Sequence, residues 1–170
     1  MWRYNCGLPN KRSKEIKKLA LIFALICNQT YAETVIGVSD GDTLTVLSKG
    51  RPVKVRLANI DAPEKKQPFG ARSKQSLSDL CFGRDATLDS GKQDRYGRTV
   101  AVVHCGDVNA NVAQVRKGMA WVYPQYNHDP SLPAIEAAAR SSRTGLWAER
   151  DPLEPWLFRK ERKARSSYLN

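Results

Sequence analysis

Arg56, Asp61 and Glu64 fall within the stretch Arg56-Leu57-Ala58-Asn59-Ile60-Asp61-Ala62-Pro63-Glu64, where an alternating polar and apolar run gives way to proline. A strand end holds a side chain rigidly while the loop after it stays wet, so such groups can converge on a ligand instead of packing. Two acids beside one base suit an anionic substrate held through a metal ion. The upstream turn Asp40-Gly41-Asp42-Thr43 adds further acid. Taken alone, Asp-Gly-Asp is an ordinary hairpin turn, because both residue types tolerate positive φ. Asp61-Ala62-Pro63-Glu64 alone is an ordinary strand terminator, and Arg56 alone could be one half of a surface ion pair. Only the combination points to a site.

The elements that must carry these residues read as short β-branched strands at Thr34–Val38, Thr43–Leu47 and Val53–Leu57. A helix is expected from Ala71 to Leu80, with Ala71, Leu77, Leu80 and Cys81 inward and Gly83 as its stop. Strands at Ala86–Asp89 and Thr99–Cys105 flank the polar turn Lys92–Arg98. Asn109 is placed to cap a helix ending at Gly118, with Val112 and Val115 inward. An Ala-rich helix is expected over Pro133–Ser142, with Ile135, Ala138 and Ala139 on one side. Five strands with a helix after the third and more helices after the fifth predict an α+β, mainly β domain: a five-stranded OB-fold Greek-key barrel with about three packed helices.

A chain of 170 residues holds one such core plus appendages. Lys11, Arg12, Lys14, Lys17 and Lys18 precede the apolar run Leu19–Cys27, and Thr30 and Ala32 are small, so residues 1–32 read as an export signal cut near Ala32. The mature protein is then secreted or periplasmic, with Cys27 raising a lipid anchor as the competing reading. The apolar run is far shorter than the ~20 residues of a membrane-spanning helix, so no stable membrane insertion is expected. Residues 33–150 form the domain, and residues 151–170 a basic C-terminal tail, Arg159–Arg165 being read as a solvated or frayed end.

The full chain carries 28 Lys and Arg against 17 Asp and Glu, and six and one of these precede Glu33, which leaves a formal +6. That charge favours polyanions, nucleic acid first, through phosphate contacts and counterion release. Cys81 and Cys105 remain after export, and in an oxidising compartment the pair is expected to bridge. Two His and no Cys cluster argue against a zinc site.

Six segments in order, Asp40–Thr43, Arg56–Glu64, Asp94-Arg95-Tyr96-Gly97-Arg98, Val108-Asn109, Arg116–Ala120 and Gly145-Leu146-Trp147, make the chain resemble the thermonuclease family, the staphylococcal-nuclease-like enzymes. The resemblance spans roughly Val35 to Arg150. It implies a monomeric, calcium-dependent OB-fold endonuclease that cleaves DNA and RNA and leaves 3′-phosphate ends. Carried over residue by residue, it makes Asp42 and Asp61 the carboxylates on calcium, with the carbonyl of Ala62 as main-chain ligand. Glu64 becomes the residue that orients or deprotonates the attacking water. Arg56 and Arg98 meet the scissile phosphate, and Arg95 and Tyr96 a neighbouring one.

The family's Thr stands here as Ala62, which leaves a main-chain ligand intact. The loop after Glu64 is shorter, and the base-stacking aromatic has no single match among Trp121, Tyr123 and Tyr126, which could equally be core or rim. Tyr96 could likewise pack on the barrel rim, and His104 and His128 fall in no matching segment. The competing function is a non-catalytic OB-fold module that binds single strands through basic and aromatic groups. Such a binder has no need of Asp42, Asp61, Glu64, Arg56 and Arg98 together.

Overall fold

The structure, a computed structural model, describes residues 33–168. The expected export signal, residues 1–32, lies outside the described residues. β1 (Glu33–Asp40), β2 (Thr43–Ser48) and β3 (Arg51–Leu57) form an antiparallel meander. β5 (Asp85–Gln93) pairs with β1 and with β6 (Thr99–Cys105). β6 closes the ring by running parallel to β3, with Val55, Arg56 and Leu57 opposite Thr99, Val100 and Ala101. The five long strands therefore make the expected closed barrel. Register shifts along β1, between Val35 and Gly37 and between Val38 and Asp40, add the local bend that closure needs.

The barrel is filled from alternate positions of each strand: Val35, Leu44, Val46, Val55, Leu57, Ala101 and Val103 are all buried. α1 (Gly70–Cys81) covers one end, and its register differs in part from expectation. Leu77 and Cys81 point inward and Leu80 is half-buried, but Ala71 is exposed, and Ser73 takes the buried place instead. Ser73 can sit there because its hydroxyl donates to the Met119 carbonyl at 2.6 Å. The Cys81–Cys105 disulfide ties α1 to β6 across a Cα–Cα distance of 5.2 Å.

α2 (Ala110–Arg116) is capped as its sequence suggests, the Asn109 side chain accepting from the Val112 N–H at 3.0 Å. It buries Val115, while Val112 is only half-buried. It also buries two amides with assigned partners: Gln114 donates to the Gly41 carbonyl at 2.7 Å and Asn111 to the Ala58 carbonyl at 2.7 Å. α3 (Leu132–Ser141) begins one residue earlier than expected, and Leu132, fully buried, is its main anchor along with Ala139; Ala138 is exposed and Ile135 half-buried. Three two-residue strands complete the β structure: β4 (Ile60–Asp61) pairs with β8 (Trp121–Val122), and β7 (Val108–Asn109) with β6.

The basic end is not a frayed tail. Residues 155–168 form α4 (Pro155–Tyr168), so there are four helices rather than three among the described residues. Pro155 starts it with φ already fixed for a helix, and Trp156 anchors it. The Trp156 ring stacks on Tyr123 with centroids 5.1 Å apart and planes 1° from parallel, and meets Trp121 edge-on at 6.0 Å. Trp156 and Arg159 are three residues apart and share a face of the helix. No described helix is long and apolar enough to cross a membrane.

Candidate active site

The Asp40–Thr43 turn is pressed against the barrel end by the absence of a side chain at Gly41. A Cβ there would overlap the Ser73 hydroxyl and the Ala62 methyl. With Gln114 also holding the Gly41 carbonyl, Asp42 comes up against β4. Its Oδ2 accepts from the Ala62 N–H at 2.7 Å and its Oδ1 from the Thr43 hydroxyl at 3.0 Å. Turn and strand end, 20 residues apart in sequence, are thereby locked to each other.

Arg56 joins them electrostatically. Its Nη1 lies 3.1 Å from Asp42 Oδ2 and its Nη2 2.8 Å from Asp61 Oδ1, while Nη1 also donates to the carbonyls of Leu57 and Ile60 at 3.0 Å each. The Arg56 side chain is 13% exposed, so the surface ion pair considered from the sequence is in fact a buried clamp on two carboxylates. A planar fork suits this use, since one guanidinium can serve several acceptors in fixed directions.

The remaining expected residues open onto the same space. Asp42, Arg56, Asp61, Ala62, Glu64, Arg95, Tyr96 and Arg98 all line one cavity of about 750 Å³. Glu64 is held by its backbone, its N–H donating to Gln67 Oε1 at 3.1 Å and its carbonyl accepting from the Gln67 N–H at 2.8 Å. Arg98 reaches in from the β5–β6 turn, where Asp94 Oδ2 accepts from its Nε at 2.8 Å and lies 2.7 Å from its Nη2. Although partial burial opposes ionisation of Asp94, hydrogen bonds from the Arg98 backbone and side chain hold its carboxyl below the usual range. Tyr96 is 68% exposed, with the Arg95 and Arg98 guanidiniums 4.9 and 5.4 Å from its ring centre. It extends into solvent rather than packing into the rim.

Five contributors were not assigned a site role from the sequence. Asp40, read as part of a turn, lines the cavity beside Asp42. Burial and then the neighbouring Asp42 charge push its carboxyl up to about 6. Asp61 is also raised, by burial, against the opposing pull of Arg159 and Arg56. Tyr123 and Tyr126 also line the cavity, their rings edge to face with centroids 4.8 Å apart, whereas Trp121 is buried against Trp147 at 4.4 Å. His128 also faces the cavity, while His104 sits on β6, 3.4 Å from Asp89.

The fifth is Arg159 of α4. It pairs with Asp61 at 2.7 Å and with Glu64 at 2.9 Å. Burial works against its charge, but hydrogen bonds to these two carboxylates outweigh that and hold it more firmly protonated than usual. The sequence signal for it was the Pro155-Trp156 helix start, which sets Arg159 one turn further on the anchored face.

Among the described residues no three His, Cys, Asp or Glu side chains form a ready-made metal cluster. The donor set nevertheless fits a hard divalent cation. Asp40, Asp42, Asp61 and Glu64 bring four carboxylates to this half of the cavity, and Arg56 and Arg159 bring two guanidiniums. Negative charge is left over where two of the acids are already pushed upward by burial and, for Asp40, by its neighbour. Oxygen-only, carboxylate-rich surroundings suit calcium or magnesium rather than zinc.

The staphylococcal nuclease homologue family model matches residues 54–149. An uncharacterized endonuclease of Haemophilus influenzae is 47% identical over 135 residues, covering 79% of this chain and 76% of the relative. An uncharacterized endonuclease of Escherichia coli is 42% identical over 149 residues, 86% of this chain and 97% of the relative. A micrococcal nuclease of Shigella flexneri is 40% identical over 140 residues, 76% and 80% of the two chains. With its barrel, its carboxylate and guanidinium cavity and these similarities, the chain belongs to the staphylococcal-nuclease-like family of nucleases.

Proposed function

We propose that the chain is an exported, calcium-dependent endonuclease that hydrolyses DNA and RNA as a monomer and leaves 3′-phosphate ends. The observation that carries the reading is the convergence of Asp42, Asp61, Glu64, Arg56 and Arg98 on one cavity, from three separate segments of the chain. The net basic surface supports a polyanionic substrate.

Asp42, Asp61 and the Ala62 carbonyl are the groups that would hold the calcium ion, which supplies Lewis-acid polarisation of a phosphoryl oxygen. Glu64, with its backbone pinned by Gln67, orients a water molecule and takes its proton. Attack of that water at phosphorus breaks the bond to the 5′ oxygen, which leaves as a hydroxyl after taking a proton from solvent, so the phosphate stays on the 3′ oxygen. Charge that builds on the phosphoryl oxygens is met by Arg98, which Asp94 holds at the rim, and by Arg56, which also keeps Asp42 and Asp61 in register. Arg95 and Tyr96 grip the chain one phosphate away.

Incubating the purified protein with single-stranded DNA, duplex DNA and RNA, in calcium, magnesium or chelator, and determining the end groups, tests the metal, the substrate and the products. Chelator-sensitive cleavage to 3′-phosphates is expected. Binding without cleavage in every metal would instead support the single-strand-binding module.

A further inference from the structure

The cation that neutralises Asp61 in this structure is carried by the chain itself. Arg159, 98 residues away in sequence, donates from Nη2 to Asp61 Oδ2 at 2.7 Å and from Nη1 to Asp61 Oδ1 at 3.2 Å. The same Nη1 donates to Glu64 Oε1 at 2.9 Å. With Arg56 Nη2 also on Oδ1 at 2.8 Å, Asp61 is held by two guanidiniums at once. Calcium takes carboxylate oxygens at roughly 2.3–2.6 Å. An ion so placed on Asp61 Oδ2 would stand against a guanidinium nitrogen on the same oxygen, and a guanidinium cannot relieve the repulsion by losing its proton. Of the two guanidiniums, Arg56 is locked by backbone carbonyls as well, and Arg159 has the freedom to leave. Its side chain is 37% exposed, against 2% for Asp61.

We propose that Arg159 is a built-in competitor for the divalent cation, a positioning residue that closes the gap between Asp61 and Glu64 until the cation displaces it. This rests on the reading of Asp61 as a cation ligand. The displaced guanidinium stays in the cavity that receives the phosphodiester, because α4 is seated by Trp156 on Tyr123 and by Gln67, which donates to the Leu153 carbonyl at 2.5 Å. Phosphate oxygens offer it a new charged partner there. Beyond it on α4, Lys160, Arg162, Lys163 and Arg165 are exposed and extend the basic surface away from the site. Cation affinity is therefore set partly by α4, a helix outside the 54–149 match, and nucleic acid binding and cation binding are coupled through one side chain.

When a binding-competent state is only a fraction of the population, apparent affinity falls by that fraction. If Arg159 holds Asp61 in ~90–99% of molecules, removing its charge tightens calcium binding by ~10–100-fold. The test is calcium titration of the purified wild-type protein, Arg159→Gln and Arg159→Lys by isothermal calorimetry, with circular dichroism as the fold check. Arg159→Gln should bind calcium at least ~10-fold tighter, and Arg159→Lys, with a single nitrogen in place of a fork, should fall between. In the wild type, calcium should also move the Arg159 side-chain N–H resonance, a readout that needs no variant to fold. Equal or weaker calcium affinity in folded Arg159→Gln, or an Arg159 resonance indifferent to calcium that binds, overturns the competition alone. Absence of calcium binding in all three proteins overturns it together with the metal dependence.

Discussion

Replacing Arg56 by Met keeps most of the volume of the side chain and removes all its donors. In the folded protein those donors meet Asp42 Oδ2, Asp61 Oδ1 and the carbonyls of Leu57 and Ile60. Asp42 and Asp61 are 6% and 1% exposed, so water cannot readily take over. Breaking a buried ion pair from one side costs ~3–5 kcal/mol, because the partner stays buried and charged. Here two partners are affected, but each keeps other donors: Asp42 the Ala62 N–H and Thr43 hydroxyl, Asp61 the Arg159 guanidinium. We therefore expect the lower end, ~3 kcal/mol, or a fall on the order of 10 °C in Tm for a domain of this size. Urea unfolding followed by tryptophan fluorescence measures it, in chelator and then with calcium. Calcium should narrow the deficit, since a ligand held by the native state alone stabilises it and replaces the lost positive charge. An Arg56→Met protein within about 1 kcal/mol of wild type, the worth of one hydrogen bond, would show that the clamp does not organise these carboxylates.

Three further outcomes follow from the same geometry. Glu64→Gln should abolish cleavage without weakening calcium binding, which a nuclease assay beside calorimetry separates. Arg98→Lys should lower turnover by roughly 10²–10³ with an unchanged melting temperature, because one preorganised donor pair to developing charge is lost at the rim. Asp40→Asn should flatten the acid side of the stability profile in calcium-free buffer. Asp40 is raised to about 6 from its ordinary 3.8, so between those values the folded state binds more protons than the unfolded one. The stability it contributes is complete below about pH 4 and is lost as pH rises through about 6. Melting curves across that window should fall with pH more steeply for wild type than for Asp40→Asn.

Periodicity was enough to place the five long strands, because alternation of buried and exposed residues is a local property of each strand. The Asn109 cap was equally local, resting on side-chain chemistry beside a helix start, whereas the Cys81–Cys105 pairing rested on the expectation of export, which leaves two cysteines. The six short segments picked out the candidate residues as a set, and Asp42, Asp61, Ala62, Glu64, Arg56, Arg95, Tyr96 and Arg98 line one cavity. Where propensity alone decided, as for Ala71 and Ala138, the faces were misjudged: alanine suits a helix on either side, and burial depends on what lies opposite.

What the order of residues could not determine was which charges meet. Arg56 is legible as a strand-end base, but that it pairs with both Asp42 and Asp61 follows only from the closure of β3 on β6 and the close approach allowed at Gly41. The raised carboxyl of Asp40 depends on burial and on the distance to Asp42, neither of which a turn motif encodes. Arg159 is the clearest case. In the sequence it is one of several cations in a basic run, and tertiary packing of Trp156 on Tyr123 selects it to pair with Asp61 and Glu64. Local chemistry is written along the chain, whereas electrostatic pairing falls off with distance in space, and only the folded barrel sets that distance.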